Sequence, residues 1–287
     1  MGLSSAILEG FPTIYAVILA GLGFVAFELF LSYGPPHKWL KLGFKANPKL
    51  HVDQIDECIK QAKSRLVGSL HLLIQIPLAL WVMGTPEVNA DRLLAKTPAS
   101  MLMLCISAGY FLYDAAVSIL RYEGIAYLMH GVVACVLYTY GALTGFLGYY
   151  GAAFLMWEVS TPFVYMRWFL FTLGKSQTKA YIINGLLMVF TFFVFRNIMG
   201  VAMSINFWHV SGKELAHPTS DLLPAVLWMY RLSCVSLNCL NAMWFYKMAK
   251  GAVKVLSGPK GAADKVQGDA TVRAAATEAH APAKKVS

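Results

Sequence analysis

Residues 180–206 read AYIINGLLMVFTFFVFRNIMGVAMSIN, an apolar run with one charge, Arg196. A helix of that length rises about 40 Å at about 1.5 Å per residue, more than the ~30 Å of a bilayer's hydrocarbon core. A buried helix of a soluble domain has no need of such length. Six more runs of the same kind lie at 12–33, 66–84, 98–120, 126–146, 150–173 and 222–246. They predict an all-α, polytopic transmembrane bundle of about seven spanning helices. Runs four and five are parted only by Phe146-Leu147-Gly148-Tyr149-Tyr150-Gly151. If that segment does not turn, the count is six.

Composition agrees. The chain of 287 residues is 57% hydrophobic and 14% charged, with a mean hydropathy of +0.56. Soluble domains carry about a quarter charged residues, so this chain has too few to cover a wet surface. Its start, Met1 to Ala6, lacks the basic region of a cleaved signal peptide, and the first run is expected to be retained. Five cysteines show no Cys-x-x-Cys or Cys/His spacing, so neither a disulfide framework nor a metal site is expected. No cofactor is expected either.

The basic residues orient the bundle. Seven helices place Lys38, Lys41, Lys45, Lys49, Lys60, Lys63, Arg65, Arg121, Lys175, Lys179 and the basic residues after 246 on one face. Only Arg92, Lys96 and Lys213 fall on the other. Positive charge stays cytosolic, so the N-terminus is expected in the lumen and the C-terminus in the cytosol. The net charge of +9 is met by anionic headgroups at that cytosolic face, not by nucleic acid.

Three regions follow: residues 1–59, a first span with a basic loop; 60–250, the main transmembrane domain; and 251–287, a tail too poor in large apolar side chains to order itself. In the loop, Ile55, Ile59, Ala62 and Leu66 recur at helical spacing opposite Lys60 and Lys63, which predicts an amphipathic helix lying on the membrane. The tail ends Lys284-Lys285-Val286-Ser287, which resembles a dilysine retrieval signal of the endoplasmic reticulum.

Ionisable groups in a spanning helix cost about 2.5–3.5 kcal/mol or more, so they turn inward and find partners. By depth, Asp114, His130, Arg167, Asn184, Asn238 and Asn241 form a layer in the cytosolic half, and Glu158, Arg196 and Arg231 a second layer nearer the centre or lumen. Glu158 is expected to pair with Arg196 or Arg231. Asp114 and His130 are candidates for acid, base or headgroup anchor. Glu28 and His71 look isolated, and no role is assigned to them. Pro162 lies one turn after Glu158, placing a helix bend beside the charge.

Gly109-Tyr110-Phe111-Leu112-Tyr113-Asp114, His130, Glu158-Val159-Ser160-Thr161-Pro162-Phe163 with Arg167-Trp168, and Phe195-Arg196 together resemble the TLC-domain family, over roughly residues 60–250. That superfamily includes the ceramide synthases and the translocating-chain-associating membrane protein. The resemblance is nearest to its smaller members, and it implies a helical bundle of the endoplasmic reticulum enclosing a lipid cavity. Ceramide synthases use paired histidines for acyl transfer; here the place reads Leu128-Met129-His130, with one histidine. The expected function is therefore binding or sensing of membrane lipid in lipid homeostasis. Asp114, His130, Glu158, Arg167, Asn184, Arg196 and Arg231 would line the polar network, the arginines holding a phosphate or carboxylate. Two alternatives stand beside it: acyl-CoA-dependent acyl transfer with His130 as base and Asp114 orienting it, and a cargo or translocation helper acting through the 34–65 loop.

Overall fold

The computed structural model describes residues 11–122, 124–218 and 223–257. Of the tail expected not to order itself, residues 251–257 form the end of a helix, and the rest, with the Lys284-Lys285 signal, lies outside these residues. The described chain is helical: α1 (Phe11–Tyr33), α2 (Pro35–Lys45), α3 (Val52–Gly84), the short α4 (Pro86–Ala90), α5 (Pro98–Leu120), α6 (Ile125–Thr144), α7 (Gly148–Leu155), α8 (Thr161–Thr172), α9 (Lys179–Phe192), α10 (Gly200–Ala216) and α11 (Leu223–Ser257). A 3₁₀ segment, Met156–Ser160, joins α7 to α8, and a π segment, Phe193–Met199, joins α9 to α10.

Six of these helices are long and apolar enough to cross a membrane: α1, α3, α5, α6, the continuous α9–π–α10, and α11. A seventh traverse comes from α7, the 3₁₀ segment and α8 together. Its start packs Gly148 against Ser100 at one end of the bundle. Its finish reaches the other end, where Asn47 Nδ2 donates to the Thr172 carbonyl at 2.9 Å. Long apolar helices alone give six spans, and counting this interrupted segment gives the seven expected.

Local chemistry explains the boundaries. Thr97 caps α5, its hydroxyl accepting from Ser100 N, with Pro98 pre-set for the first turn. Thr178 caps α9 in the same way. The doubtful segment at 145–148 is a sharp turn: Gly145 ends α6 at φ 72°, and Leu147 follows at φ 61°. A left-handed leucine is strained by about 1–2 kcal/mol. It is held there by burial and by its N–H donating to the Leu93 carbonyl at 2.8 Å.

The basic loop corrects the expected surface helix. Residues 52–65 are not a separate element but the first half of α3, continuous with the span. Ile55, Ile59 and Ala62 are fully buried against Phe44 of α2 and Trp168 of α8. An apolar stripe at helical spacing faces whatever is apolar, and here that is the protein, not the bilayer. Exposed Trp39 and Leu42 of α2 remain the outward apolar groups of the loop. Pro77 lies inside α3 without interrupting it.

Helix α1 packs on α5 through two small residues. A Cβ added to Gly109 would lie 2.6 Å from the Gly21 nitrogen and 2.7 Å from the Val17 carbonyl oxygen. Close backbone approach of this kind is what small residues supply in membranes. Gly109→Val is expected to destabilise the fold by about 1–3 kcal/mol or more, since backbone cannot give way cheaply. Gly23→Val, where a Cβ meets nothing within 4 Å, is the control. Equal thermal midpoints for the two variants would refute this packing.

Candidate functional site

The centre of the bundle is organised by Arg196. It projects inward from the π segment and is 6% exposed. All three guanidinium nitrogens are engaged. Nε donates to the Trp157 carbonyl at 2.8 Å and Ser160 Oγ at 3.0 Å. Nη1 donates to Asn241 Oδ1 at 3.2 Å. Nη2 donates to Thr161 Oγ1 at 2.9 Å and to Glu158 Oε1 at 3.3 Å. The other Glu158 oxygen accepts from the Thr161 hydroxyl at 2.5 Å. Both partners therefore sit where a helix departs from α geometry. The 3₁₀ turn next to Pro162 presents its Trp157 carbonyl sideways, and the π turn rotates Arg196 to meet it. π turns of this sort recur at functional sites.

On the far side of Glu158 lies a slot lined by α5, α6, α7, α10 and α11 and partly open to the outside. Its empty space, counting the open part, is about 740 Å³. Its walls are Leu104, Phe111, Ala134, Leu137, Leu237 and other apolar groups, with Phe146, Leu147 and Phe207 at one end and His130 and Glu158 at the other. Three tyrosine hydroxyls among its lining residues already donate to protein: Tyr138 to the Gly151 carbonyl at 2.8 Å, Tyr150 to Asn206 Oδ1 at 2.8 Å and Tyr230 to the Leu137 carbonyl at 2.6 Å.

The structure redistributes the residues chosen from sequence. Glu158, Arg196 and His130 converge, together with Asn241. Arg231 does not join them: it donates to Ser211 Oγ at 2.9 Å and the Trp208 carbonyl at 2.7 Å, between the indoles of Trp208 and Trp228. Arg167 lies over the Tyr181 ring at 4.0 Å and Asn184 donates to the Phe163 carbonyl at 2.8 Å, so these two clasp α8 to α9. Asp114 lies by Gly131, where an added Cβ would stand 3.0 Å from its carboxylate, and it is not among the cavity-lining residues. His130 instead meets Phe111 and Trp244 edge-on. The two expected layers thus interpenetrate: Asn241 and His130, placed in one, meet Arg196 and Glu158, placed in the other.

Two residues set aside in the sequence have defined places. Glu28 ion-pairs with Arg121 and accepts from the Tyr113 hydroxyl at 2.9 Å, tying α1 to α5. His71 is 1% exposed, stacks on Tyr110 at 3.8 Å, and stands with His130 within electrostatic range of Glu158. Each is one ionisable group in an apolar run, and that was the available signal. The partner lies on another helix, which a linear reading does not supply.

Residues 61–250 match the TLC domain. The chain belongs to the TLC-domain family. Among its TLC-domain relatives, "TLC domain-containing protein 4-B" of Danio rerio is 30% identical over 248 residues, covering 84% of this chain and 90% of the relative. "TLC domain-containing protein 4" of Homo sapiens is 32% identical over 200 residues, 68% of this chain and 74% of the relative. "TLC domain-containing protein 4 A" of Dictyostelium discoideum is 24% identical over 253 residues, 86% and 93% of the two chains. No solved structure matches. The Glu158 to Arg196 site lies wholly within the matched TLC domain.

Arg196→Leu is expected to cost about 3–5 kcal/mol, because it leaves the Glu158 carboxylate buried without its cation. Arg231→Leu, whose hydrogen-bond partners are a hydroxyl and a carbonyl, is expected to cost less. Thermal unfolding of both variants in detergent checks the order, and the reverse order would overturn the central role given to Arg196.

Proposed function

We propose that this TLC-domain protein is a multi-pass protein of the endoplasmic reticulum that binds or senses a membrane lipid and so contributes to lipid homeostasis. The observation that carries this reading is the cavity: apolar walls and a polar end formed by His130 and Glu158. Binding pockets are concave and mostly apolar with a few placed polar groups, and that pattern holds here. Location rests on the family resemblance, and orientation on basic residues gathered at one end of the bundle. On that basis the N-terminus is lumenal and the C-terminus cytosolic, where the lysines meet anionic headgroups.

A second reading is acyl transfer. It is favoured by a ring nitrogen and a carboxylate facing the same apolar slot. His130 would take the proton from an acceptor hydroxyl or amine as it attacks an acyl-CoA thioester, with the CoA thiolate leaving. Glu158, rather than Asp114, is the carboxylate that shares the cavity with it.

In lipid extracts of the purified protein, a stoichiometric lipid is expected from wild type and should fall severalfold in Ala134→Phe, which fills the slot. Unchanged lipid content would remove the cavity as the site. Microsomal acyl transfer that persists unaltered in His130→Ala would end the enzymatic reading. In sealed microsomes, a C-terminal tag is expected to be cleaved by added protease and an N-terminal tag protected. The opposite result would invert the topology.

A further inference from the structure

The charge of the cavity narrows the ligand, an inference that rests on the lipid-binding reading above. The bundle holds several cations near the slot, yet protein groups already engage the arginines. Arg196 stands behind Glu158, outside the lining, with every nitrogen donating to protein. Arg92 donates to Asn206 Oδ1 at 3.1 Å and lies over the Tyr149 ring at 4.4 Å. Arg167 and Arg231 are held elsewhere, as described above. Lys96 is exposed, its chain running along Gly145 beyond the apolar end. The polar end of the lining therefore offers one carboxylate, already neutralised, the His130 ring and the unpartnered indole N–H of Trp157, an uncharged donor that lies against Gly200.

A phosphate or carboxylate drawn into this slot would approach Glu158 with no uncommitted cation to receive it. Burying an unpaired anion costs far more than burying a hydroxyl that finds a partner. The lining tyrosine hydroxyls have already given their protons to protein acceptors. What remains is acceptor capacity on those oxygens, the Trp157 N–H and hydrogen-bonding capacity on His130, which suits a hydroxyl head that donates an O–H and accepts in turn. The empty space, about 740 Å³ including its open side, leaves room for one acyl chain rather than two.

We propose that the cavity takes a single-chain lipid with an uncharged, hydroxyl-bearing head, such as a monoacylglycerol or a long-chain alcohol. The head lies at His130 and Glu158, and the chain runs between α6 and α11 toward Phe146 and Phe207. This departs from the sequence-based expectation that arginines hold a phosphate or carboxylate, because the arginines are spent on the protein itself.

The test uses full-length, delipidated protein in phosphatidylcholine nanodiscs with radiolabelled monoolein, competed by unlabelled monoolein, oleate or oleoyl-lysophosphatidic acid. Monoolein should compete at about tenfold lower concentration than either anion, since about 1.4 kcal/mol separates a tenfold difference. The binding should be lost in Ala134→Phe or, if that variant misfolds on gel filtration, in Leu237→Phe. It should persist in Lys96→Gln. Either anion competing as well as monoolein, or a preference that survives the filled slot or depends on Lys96, would overturn the uncharged-head proposal while leaving a lipid site in place. Failure of all three lipids to bind wild type would overturn the cavity reading together with it.

Discussion

A guanidinium cannot rest in hydrocarbon unpaired, and the centre of this bundle is arranged around that constraint. Arg196 draws acceptors from three directions: the Trp157 carbonyl and Ser160 from the 3₁₀ turn, Glu158 and Thr161 from the same bend, and Asn241 from α11. Satisfying it requires two helices to abandon α geometry where they face each other. Those departures place Glu158 between the arginine and the cavity. The polar end of the slot is thus a by-product of how the buried charge is neutralised.

The same arrangement governs what the slot can accept. An ion pair closed within the protein presents little net charge to a ligand, so recognition falls to a ring nitrogen and hydroxyl oxygens. Arg231, set against the perpendicular rings of Trp208 and Trp228, and Arg167, over a tyrosine ring, show the same economy at other depths. Each arginine joins neighbouring helices, and none is presented to the cavity.

Much of the bundle was legible in the chain. Six of the apolar runs map onto the long spans and the seventh onto the interrupted α7–α8 segment, where Pro162 marked the bend beside Glu158. That Glu158 pairs with an arginine followed from depth and sign, but the choice of Arg196 over Arg231 did not. His130 lines the cavity with Glu158 while Asp114 lies by Gly131 outside the lining, because closeness in depth says nothing about azimuth around a helix. The amphipathic stripe Ile55-Ile59-Ala62 was recognised correctly as a stripe. Its partner was misjudged, since period alone cannot tell a lipid surface from Phe44 and Trp168. Glu28 and His71 went unassigned because their partners, Arg121 and Tyr110, lie on other helices.

The sequence by itself determined that this chain spans a membrane many times, which segments do so, and that its few buried charges must meet one another. Those conclusions depend only on hydrocarbon thickness and on the cost of an unmatched charge, both of which act along the chain. Tertiary structure alone decided which charges meet, that all the nitrogens of Arg196 are consumed in doing so, and that a slot remains beside Glu158. These depend on the rotation of each helix about its axis, which the pattern of residues along one chain does not fix.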